Sequence, residues 1–71
     1  MAPIYKVYVN GIVEFITDEH NKFNDTVGYY IDQFYESGFT MVSSNGDVYD
    51  MHYVFYNFET RCSGSVGYEL K

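Results

Sequence analysis

One stretch of the chain, residues 23–39, strongly constrains how the rest can fold. Its large apolar side chains recur at spacings of four, seven, eight and eleven from the first, which is the period of one stripe along an α-helix. The stripe consists of Phe23, Val27, Tyr30, Ile31 and Phe34. Gly38 can adopt the left-handed conformation that closes a helix, and Phe39 can then touch Phe34 in a Schellman closure. The sequence therefore predicts an amphipathic helix that ends at Gly38.

The beginning of this helix is less sharply marked. Asn21 and Asn24 are both candidate caps, because a side-chain oxygen can accept hydrogen bonds from free backbone N–H groups. Asp25 near the first turn would suit the positive end of the helix dipole. Gly28 costs about 1 kcal/mol relative to alanine in a helix. We expect that this glycine is simply tolerated, the alternative being close approach of another backbone.

The outward face of the predicted helix is acidic and carries no cation. Asp25, Asp32 and Glu36 line one side at intervals of roughly 6–10 Å, close to the spacing of about 7 Å between phosphates along a strand. Asp32 and Glu36 repel each other by roughly 0.2–0.5 kcal/mol, with no structural benefit visible in the sequence. Tyr29 and Gln33 lie on the same face. The predicted partner-binding set combines the three carboxylates and Tyr29 with two acidic residues before the helix: Asp18, Glu19, Asp25, Tyr29, Asp32 and Glu36.

Charge and aromatic content restrict the function further. Ten acidic residues against four basic ones leave a net charge of −6, and phosphate binding requires clustered Lys and Arg, so direct nucleic-acid binding is disfavoured. An acidic surface attracts basic protein surfaces, although solubility is the commoner reason for acidity. The fifteen Phe and Tyr residues exceed what so small a core can hold. Some aromatic rings should therefore form a docking surface or cover an open sheet face.

Residues 4–17 read as two strands joined by Asn10-Gly11, the dipeptide best suited to a type I′ hairpin turn. A two-residue loop pairs residues that lie on the same face of the hairpin, and the more apolar face, which carries Tyr5, Val7 and Val9, is assigned to the helix. The expected pairs are Val9 with Ile12, Val7 with Glu14, Tyr5 with Ile16, Tyr8 with Val13 and Lys6 with Phe15. Glu14 interrupts the apolar face, so we expect it near a sheet edge.

A second hairpin is predicted to turn at Asn45-Gly46. A two-residue loop would mix apolar with polar residues, whereas a three-residue loop with Gly46 as the bulge residue matches apolar partners. The expected pairs are Val42 with Val48, Met41 with Tyr49 and Phe39 with Met51.

The aromatic run over residues 48–58 is predicted to be the central strand. Alternation directs Tyr49, Met51, Tyr53 and Phe55 towards the helix. It leaves Val54, Tyr56 and Phe58 on the far face, where a loop, the tail or a partner must cover them. Residues 65–70 should form a short, frayed edge strand, because Gly64 and Gly67 weaken it. The whole chain, 1–71, is then a single α+β domain, with one helix on an antiparallel sheet in the order β-β-α-β-β-β.

No residue cluster predicts catalysis, a metal site or a cofactor. Cys62 is the single cysteine, which fits a reducing compartment and is expected to be a partly buried thiol with no identified base. His20 and His52, with Asp50 on the same strand as His52, lack the ligand number and spacing of zinc sites. There is neither a charged leader nor a run of ~20 apolar residues, so we expect a cytoplasmic protein without a membrane anchor.

In size, acidity, tyrosine content and element order, the chain resembles the small single-domain inhibitors encoded by phages, including anti-CRISPR and host-takeover proteins. The resemblance is one of overall character and transfers no residue. It implies a non-enzymatic protein-binding module that inhibits or regulates a basic, nucleic-acid-handling protein. Its acidity would then act as a nucleic-acid mimic, the alternative being that it only aids solubility. One alternative is a self-associating structural domain, a homodimer that uses Val54, Tyr56 and Phe58. Another is a small enzyme that uses Cys62 or a histidine.

Overall fold

The computed structural model describes residues 3–47 and 49–70 and confirms the predicted α+β class and element order. One helix packs on one face of a five-stranded antiparallel sheet with strand order β2-β1-β5-β4-β3. The elements are β1 (Tyr5–Val9), β2 (Ile12–Thr17), α1 (His20–Glu36), β3 (Thr40–Asn45), β4 (Met51–Asn57) and β5 (Cys62–Leu70). The buried core lies between α1 and the sheet and contains Val7, Phe23, Val27, Phe55 and Val66.

The apolar stripe of α1 faces the sheet as predicted. Phe23 and Val27 are buried, and the other three members are half-buried against the core. The helix begins at His20, so the expected caps at Asn21 and Asn24 are wrong. Glu19 takes the N-cap position without a side-chain cap, and its own N–H donates to Thr17 Oγ1 at 3.1 Å.

Asp25 consequently lies beyond the first turn, where the helix dipole gives it little support. Gly28 has open space around the position of a Cβ, so it is tolerated rather than needed for close packing. The outward face of α1 is therefore free of any packing role at these two positions.

The C-terminal end of α1 is the predicted Schellman closure. Gly38 has a φ of +88°. The Phe39 N–H donates to the Phe34 carbonyl at 2.9 Å, and the Gly38 N–H donates to the Tyr35 carbonyl at 3.1 Å. The rings of Phe34 and Phe39 meet edge-on with centroids 5.1 Å apart, which is the apolar contact that accompanies this motif.

The first hairpin has the predicted turn, with φ values of 54° at Asn10 and 81° at Gly11. The pairs Val9–Ile12 and Tyr8–Val13 are as expected, but a bulge then shifts the register, so that the remaining pairs are Val7–Phe15, Lys6–Ile16 and Tyr5–Thr17. Val7 is fully buried. The bulge brings an aromatic side chain opposite it and leaves Glu14 exposed on the outer strand β2, which confirms the predicted edge position.

The predicted register of the second hairpin is wrong. Met41 pairs with Phe55 rather than Tyr49, and Phe39 precedes β3. β4 begins only at Met51, so Tyr49 lies outside the strand, and its ring packs on the face of the sheet away from α1, opposite to the prediction. The expected pair of Val42 with Val48 lies outside the described residues, and Val42 itself lies in a bulge of β3.

The last strand is central, not a frayed edge, and residues 51–57 lie beside it rather than in the middle. β5 is nine residues long and pairs with β1 and β4. Gly64 lies beneath the ring of Phe34, whereas Gly67 lies beneath the ring of Tyr49 on the opposite face. The glycines thus make room for aromatic rings from both sides, which replaces the side-chain packing that they lack.

Asn57 ties the β4–β5 turn to the end of the helix. Its Oδ1 accepts the N–H groups of Glu59 at 2.9 Å and Thr60 at 3.1 Å, and its Nδ2 donates to the Ser37 carbonyl at 3.3 Å. Asn57 is only 7% exposed. The buried Asn57 side chain thus joins the two elements at one end of the molecule.

Candidate protein-binding surfaces

The acidic helix face is present as predicted and open to solvent. Asp25, Asp32 and Glu36 are exposed, and Tyr29 among them is 58% exposed. None of the three carboxylates forms an ion pair with the described residues. We define the acidic helix face as these four residues, which project from the side of α1 opposite its buried stripe.

Two of these carboxylates, Asp32 and Glu36, lie where negative charge destabilises the C-terminal end of the helix. Glu36 is the last residue of α1, and no basic residue occupies the last turn. A negative charge there is unfavourable to the helix dipole, at a cost of about 0.3–1 kcal/mol. Asp32 adds repulsion with Glu36 at the i,i+4 spacing. The anionic character of this end is therefore maintained at the expense of stability.

The two acidic residues before the helix differ from the others. Glu19 forms an ion pair with Lys22, with Oε2 and Nζ 3.0 Å apart. The hydrogen bond and the charge of Glu19 raise the pKa of Lys22 above its ordinary value. Asp18 is exposed beside them. Because a helix of this length spans about 25 Å, these two residues are well separated from Glu36 in the last turn, and the six predicted residues do not form one cluster.

A groove that the sequence did not predict runs beside the acidic helix face. It has a volume of about 300 Å³ and is lined mainly by apolar side chains. Val9, Tyr30, Phe34 and Phe39 contribute these side chains, with Tyr29 and Gln33 also along it. The groove forms only where the end of β1 meets the Schellman closure of α1, and a sequence pattern does not reveal that long-range meeting.

The far face of the sheet, away from α1, carries the second predicted surface. Val54 and Tyr56 are half-buried there, whereas Phe58 in the following turn is 70% exposed. The rings of Tyr56 and Phe58 meet edge-on with centroids 4.8 Å apart. We call these three residues the far-face aromatic patch. Val54 and Tyr56 lie on the face that strand alternation predicted, whereas Phe58 lies in the turn after β4 and not in the predicted strand.

Part of the far face is covered by the connection between β3 and β4. The ring of Tyr49 stacks on Tyr8 with centroids 4.4 Å apart and meets the ring of His52 edge-on. Tyr8 O–H donates to the Glu69 carboxylate at 2.5 Å. That hydrogen bond, helped by desolvation and by the charge of Glu69, raises the pKa of Tyr8 above its ordinary value. One end of the far face is thus covered by a loop, which is one of the alternatives expected from the sequence.

The residues considered for chemistry do not converge. Cys62 is exposed, contrary to the expected partial burial, and its Sγ lies 3.8 Å from the Thr60 carbonyl oxygen. His20 begins α1 and packs against the ring of Tyr5. Asp50 precedes β4 instead of sharing that strand with His52, and its Oδ2 accepts the Leu70 N–H at 2.6 Å. Across residues 3–47 and 49–70 there is no group of three or more His, Cys, Asp or Glu residues placed to hold a metal ion.

No protein family, curated protein or solved structure matches this chain. Within the described residues, no helix has both the length and the apolar character needed to cross a membrane. The class of protein is thus defined by its fold, a small α+β domain. Function has to be inferred from the surfaces that this fold presents.

Proposed function

We propose that this protein is a non-enzymatic binding module that inhibits or regulates a basic, nucleic-acid-handling protein. The observation that carries the proposal is the exposure of Asp25, Asp32 and Glu36 on one side of α1, without ion-pair partners among the described residues. A line of fixed, uncompensated negative charge on a rigid helix is complementary to a cationic groove.

The energetic cost of these charges supports a role in binding. Solubility requires negative charge but not its concentration at a helix C-terminus, where it opposes the dipole. Glu59 and Glu14 lie in a turn and a bulge, and they supply exposed charge without that cost. The helix charges therefore need a reason beyond solubility, and attraction of a basic partner provides one.

In this mechanism the acidic helix face occupies the part of the partner that otherwise holds phosphates. Attraction over about a Debye length, some 10 Å at moderate salt, accelerates the encounter. Occupancy then excludes nucleic acid by competition and needs no chemical step. Such competition is the mode expected of the phage-type inhibitors, anti-CRISPR proteins included, that the chain resembles in overall character.

The test compares two triple variants of equal net charge. The first reverses the acidic helix face with Asp25→Lys, Asp32→Lys and Glu36→Lys. The matched control carries Glu14→Lys, Asp47→Lys and Glu59→Lys, three exposed positions outside α1. Either set changes the formal net charge from −6 to zero, since each substitution adds two units. Both variants and the parent protein are used as bait at about 50 mM and about 300 mM salt.

We expect the parent protein and the control variant to retain a basic partner at low salt, and the helix variant to lose it. Added DNA or RNA should displace the captured partner. Equal capture by all three baits would contradict the proposal, and so would a partner of acidic or neutral surface. Equal loss in both variants would show that net charge alone, and not the helix face, governs the interaction.

A second candidate function is self-association through the far-face aromatic patch. Phe58 is 70% exposed beside Tyr56, and the charged residues Lys6 and Glu69 on this face lie opposite each other on adjacent strands. Their opposite signs make repulsion between two copies weaker here than at the acidic helix face. Both outer strands contain bulges, which hinder strand pairing between the sheet edges of two copies. A dimer would therefore form through the far face of the sheet.

Sedimentation measurements distinguish the two candidates. A dimer that is insensitive to salt and is dissociated by Tyr56→Asp or Phe58→Asp would support self-association. Ile12→Asp is the matched control, because Ile12 is 63% exposed on the outer strand β2. A monomer at all concentrations would remove this candidate.

The proposal also includes a cytoplasmic location and an absence of catalysis. Support for the first is the single cysteine, which cannot form an internal disulfide. Support for the second is the exposed Cys62 thiol, which lies 3.8 Å from the Thr60 carbonyl oxygen, a group that cannot serve as a general base. Cys62→Ser, His20→Ala and His52→Ala variants should leave binding unchanged.

A further inference from the structure

The groove beside the acidic helix face has two properties that together specify the kind of partner segment it fits. Its lining is mainly apolar, whereas the helix surface next to it is anionic. Tyr29 belongs to both, since it lines the groove and lies four residues after Asp25 and three before Asp32 on α1. Residues at these spacings are neighbours on a helix surface.

The aromatic wall of the groove is held by the core. Phe34 stacks on Phe55 with ring centroids 4.8 Å apart and planes within 7°. Phe39 is fixed against Phe34 by the Schellman closure. Tyr30 meets Tyr29 edge-on at 5.3 Å. Because these rings are already positioned, a side chain entering the groove does not have to order them first.

The groove is large enough for one aromatic or large aliphatic side chain, and it opens beside carboxylates that form no ion pair with the residues that the structure describes. A neutral or acidic segment would leave these carboxylates unpaired at the edge of the contact. A segment with Lys or Arg on both sides of an apolar anchor would satisfy both surfaces at once.

We propose that the groove receives a single large apolar side chain from a basic segment of the partner protein, whose Lys and Arg residues lie against Asp32 and Glu36. This inference rests on the proposed function and adds to it the class of segment recognised. The acidic helix face attracts the cationic segment, and the groove fixes the position at which the segment binds. The site therefore discriminates between cationic segments with and without an apolar anchor.

The test uses synthetic nine-residue peptides as probes. In one series, Lys and Arg flank a central Leu, Phe or Trp. A second series has the same flanks around Ala, and a third has Asp and Glu flanks around Leu. Affinity is measured by calorimetry at about 50 mM salt, and the contact site is mapped by amide chemical shifts. We expect a cationic peptide with a large anchor to bind about tenfold more tightly than its Ala counterpart, because one large apolar side chain is buried.

Two tyrosines of α1 provide a matched pair of variants. Tyr29→Ala removes part of the groove, whereas Tyr35→Ala removes a ring of similar exposure, 50% against 58%, that does not line it. Tyr29→Ala should abolish the preference for a large anchor, and Tyr35→Ala should retain it. The double variant Asp32→Lys, Glu36→Lys should lower the affinity for the cationic Leu and Ala peptides by the same factor.

The possible failures are distinct. If the Leu and Ala peptides bind equally and both are lost on charge reversal, the groove assignment is overturned and the proposed function is retained. If the apolar anchor matters but charge reversal has no effect, the cationic partner itself is wrong and the proposed function falls with it. Absence of binding by every peptide would overturn the groove assignment, because a preformed groove of this chemistry should bind a cationic peptide with a large apolar anchor.

Discussion

The ring of Phe34, on the helix, lies directly over Gly64 of the central strand, where the strand contributes no side chain of its own. A Cβ placed on Gly64 would lie 2.6 Å from Cζ of Phe34 and would also overlap Cε1. Phe34 in turn stacks on Phe55, which is fully buried. The glycine therefore fixes how closely α1 approaches the sheet.

Gly64→Ala is expected to reduce the free energy of unfolding by about 1–3 kcal/mol, because the added methyl group must displace a ring held by the core. Gly28→Ala is the matched control, since nothing lies within 4 Å of its Cβ position in the helix. That change should raise the free energy of unfolding by about 1 kcal/mol. Urea denaturation measures both, and a neutral Gly64→Ala variant would contradict the close approach.

Asn57→Ala is expected to reduce the free energy of unfolding by about 2–4 kcal/mol. The substitution removes three hydrogen bonds at a buried position, to Ser37, Glu59 and Thr60, and each contributes about 1 kcal/mol. Asn24→Ala on the exposed surface of α1 is the control and should change stability by less than about 0.5 kcal/mol. Similar effects of the two substitutions would show that Asn57 does not join the turn to the helix.

Glu36→Lys is expected to change stability and binding in opposite directions. Removing a negative charge from the last turn, and placing a positive one there, should raise the free energy of unfolding by about 0.5–1.5 kcal/mol. The same substitution should weaken the basic partner's affinity by roughly tenfold, because a close charge pair is lost and reversed. Thermal denaturation and calorimetry measure the two effects. Glu59→Lys, exposed in the β4–β5 turn, should change neither appreciably.

The hydrogen bond between Tyr8 and Glu69 should be visible in a titration of the tyrosines. Tyr8 has its pKa raised above 10.0, first by this bond, and burial raises the pKa of Tyr53. The stabilisation from Tyr8 is fully present below its unfolded pKa and is lost as pH rises through the higher folded value. Glu69→Gln should lower the Tyr8 pKa towards 10.0 and leave Tyr53 unchanged, as followed by ring chemical shifts with Tyr8→Phe for assignment. An unchanged Tyr8 pKa would contradict the bond.

The features that sequence patterns predicted are those set by residues close together in the chain. The stripe from Phe23 to Phe34, the closure at Gly38 and the turn at Asn10-Gly11 all depend on local backbone preferences, and all three are present. The outward position of Asp32 followed from the same helix period. The N-terminal boundary was missed because Glu19 takes the cap position without any capping side chain.

The features that were missed depend on long-range packing. Gly64 and Gly67 are unfavourable in a strand considered alone, and only the rings of Phe34 and Tyr49 above them explain a central position. The bulge at Glu14 likewise follows from the need to place Phe15, rather than a carboxylate, opposite Val7. The groove beside α1 requires the end of β1 and the helix closure to meet, so no single segment predicts it.

The strand order has a consequence for how the molecule forms during synthesis. β5 is the last of the five described strands in sequence order, yet it alone joins the β1–β2 hairpin to the β3–β4 hairpin. Until residues 62–70 have emerged from the ribosome, the two hairpins and α1 have no common sheet on which to pack. Folding of the sheet as a unit therefore follows the synthesis of β5, the glycine-containing strand that pairs with both hairpins.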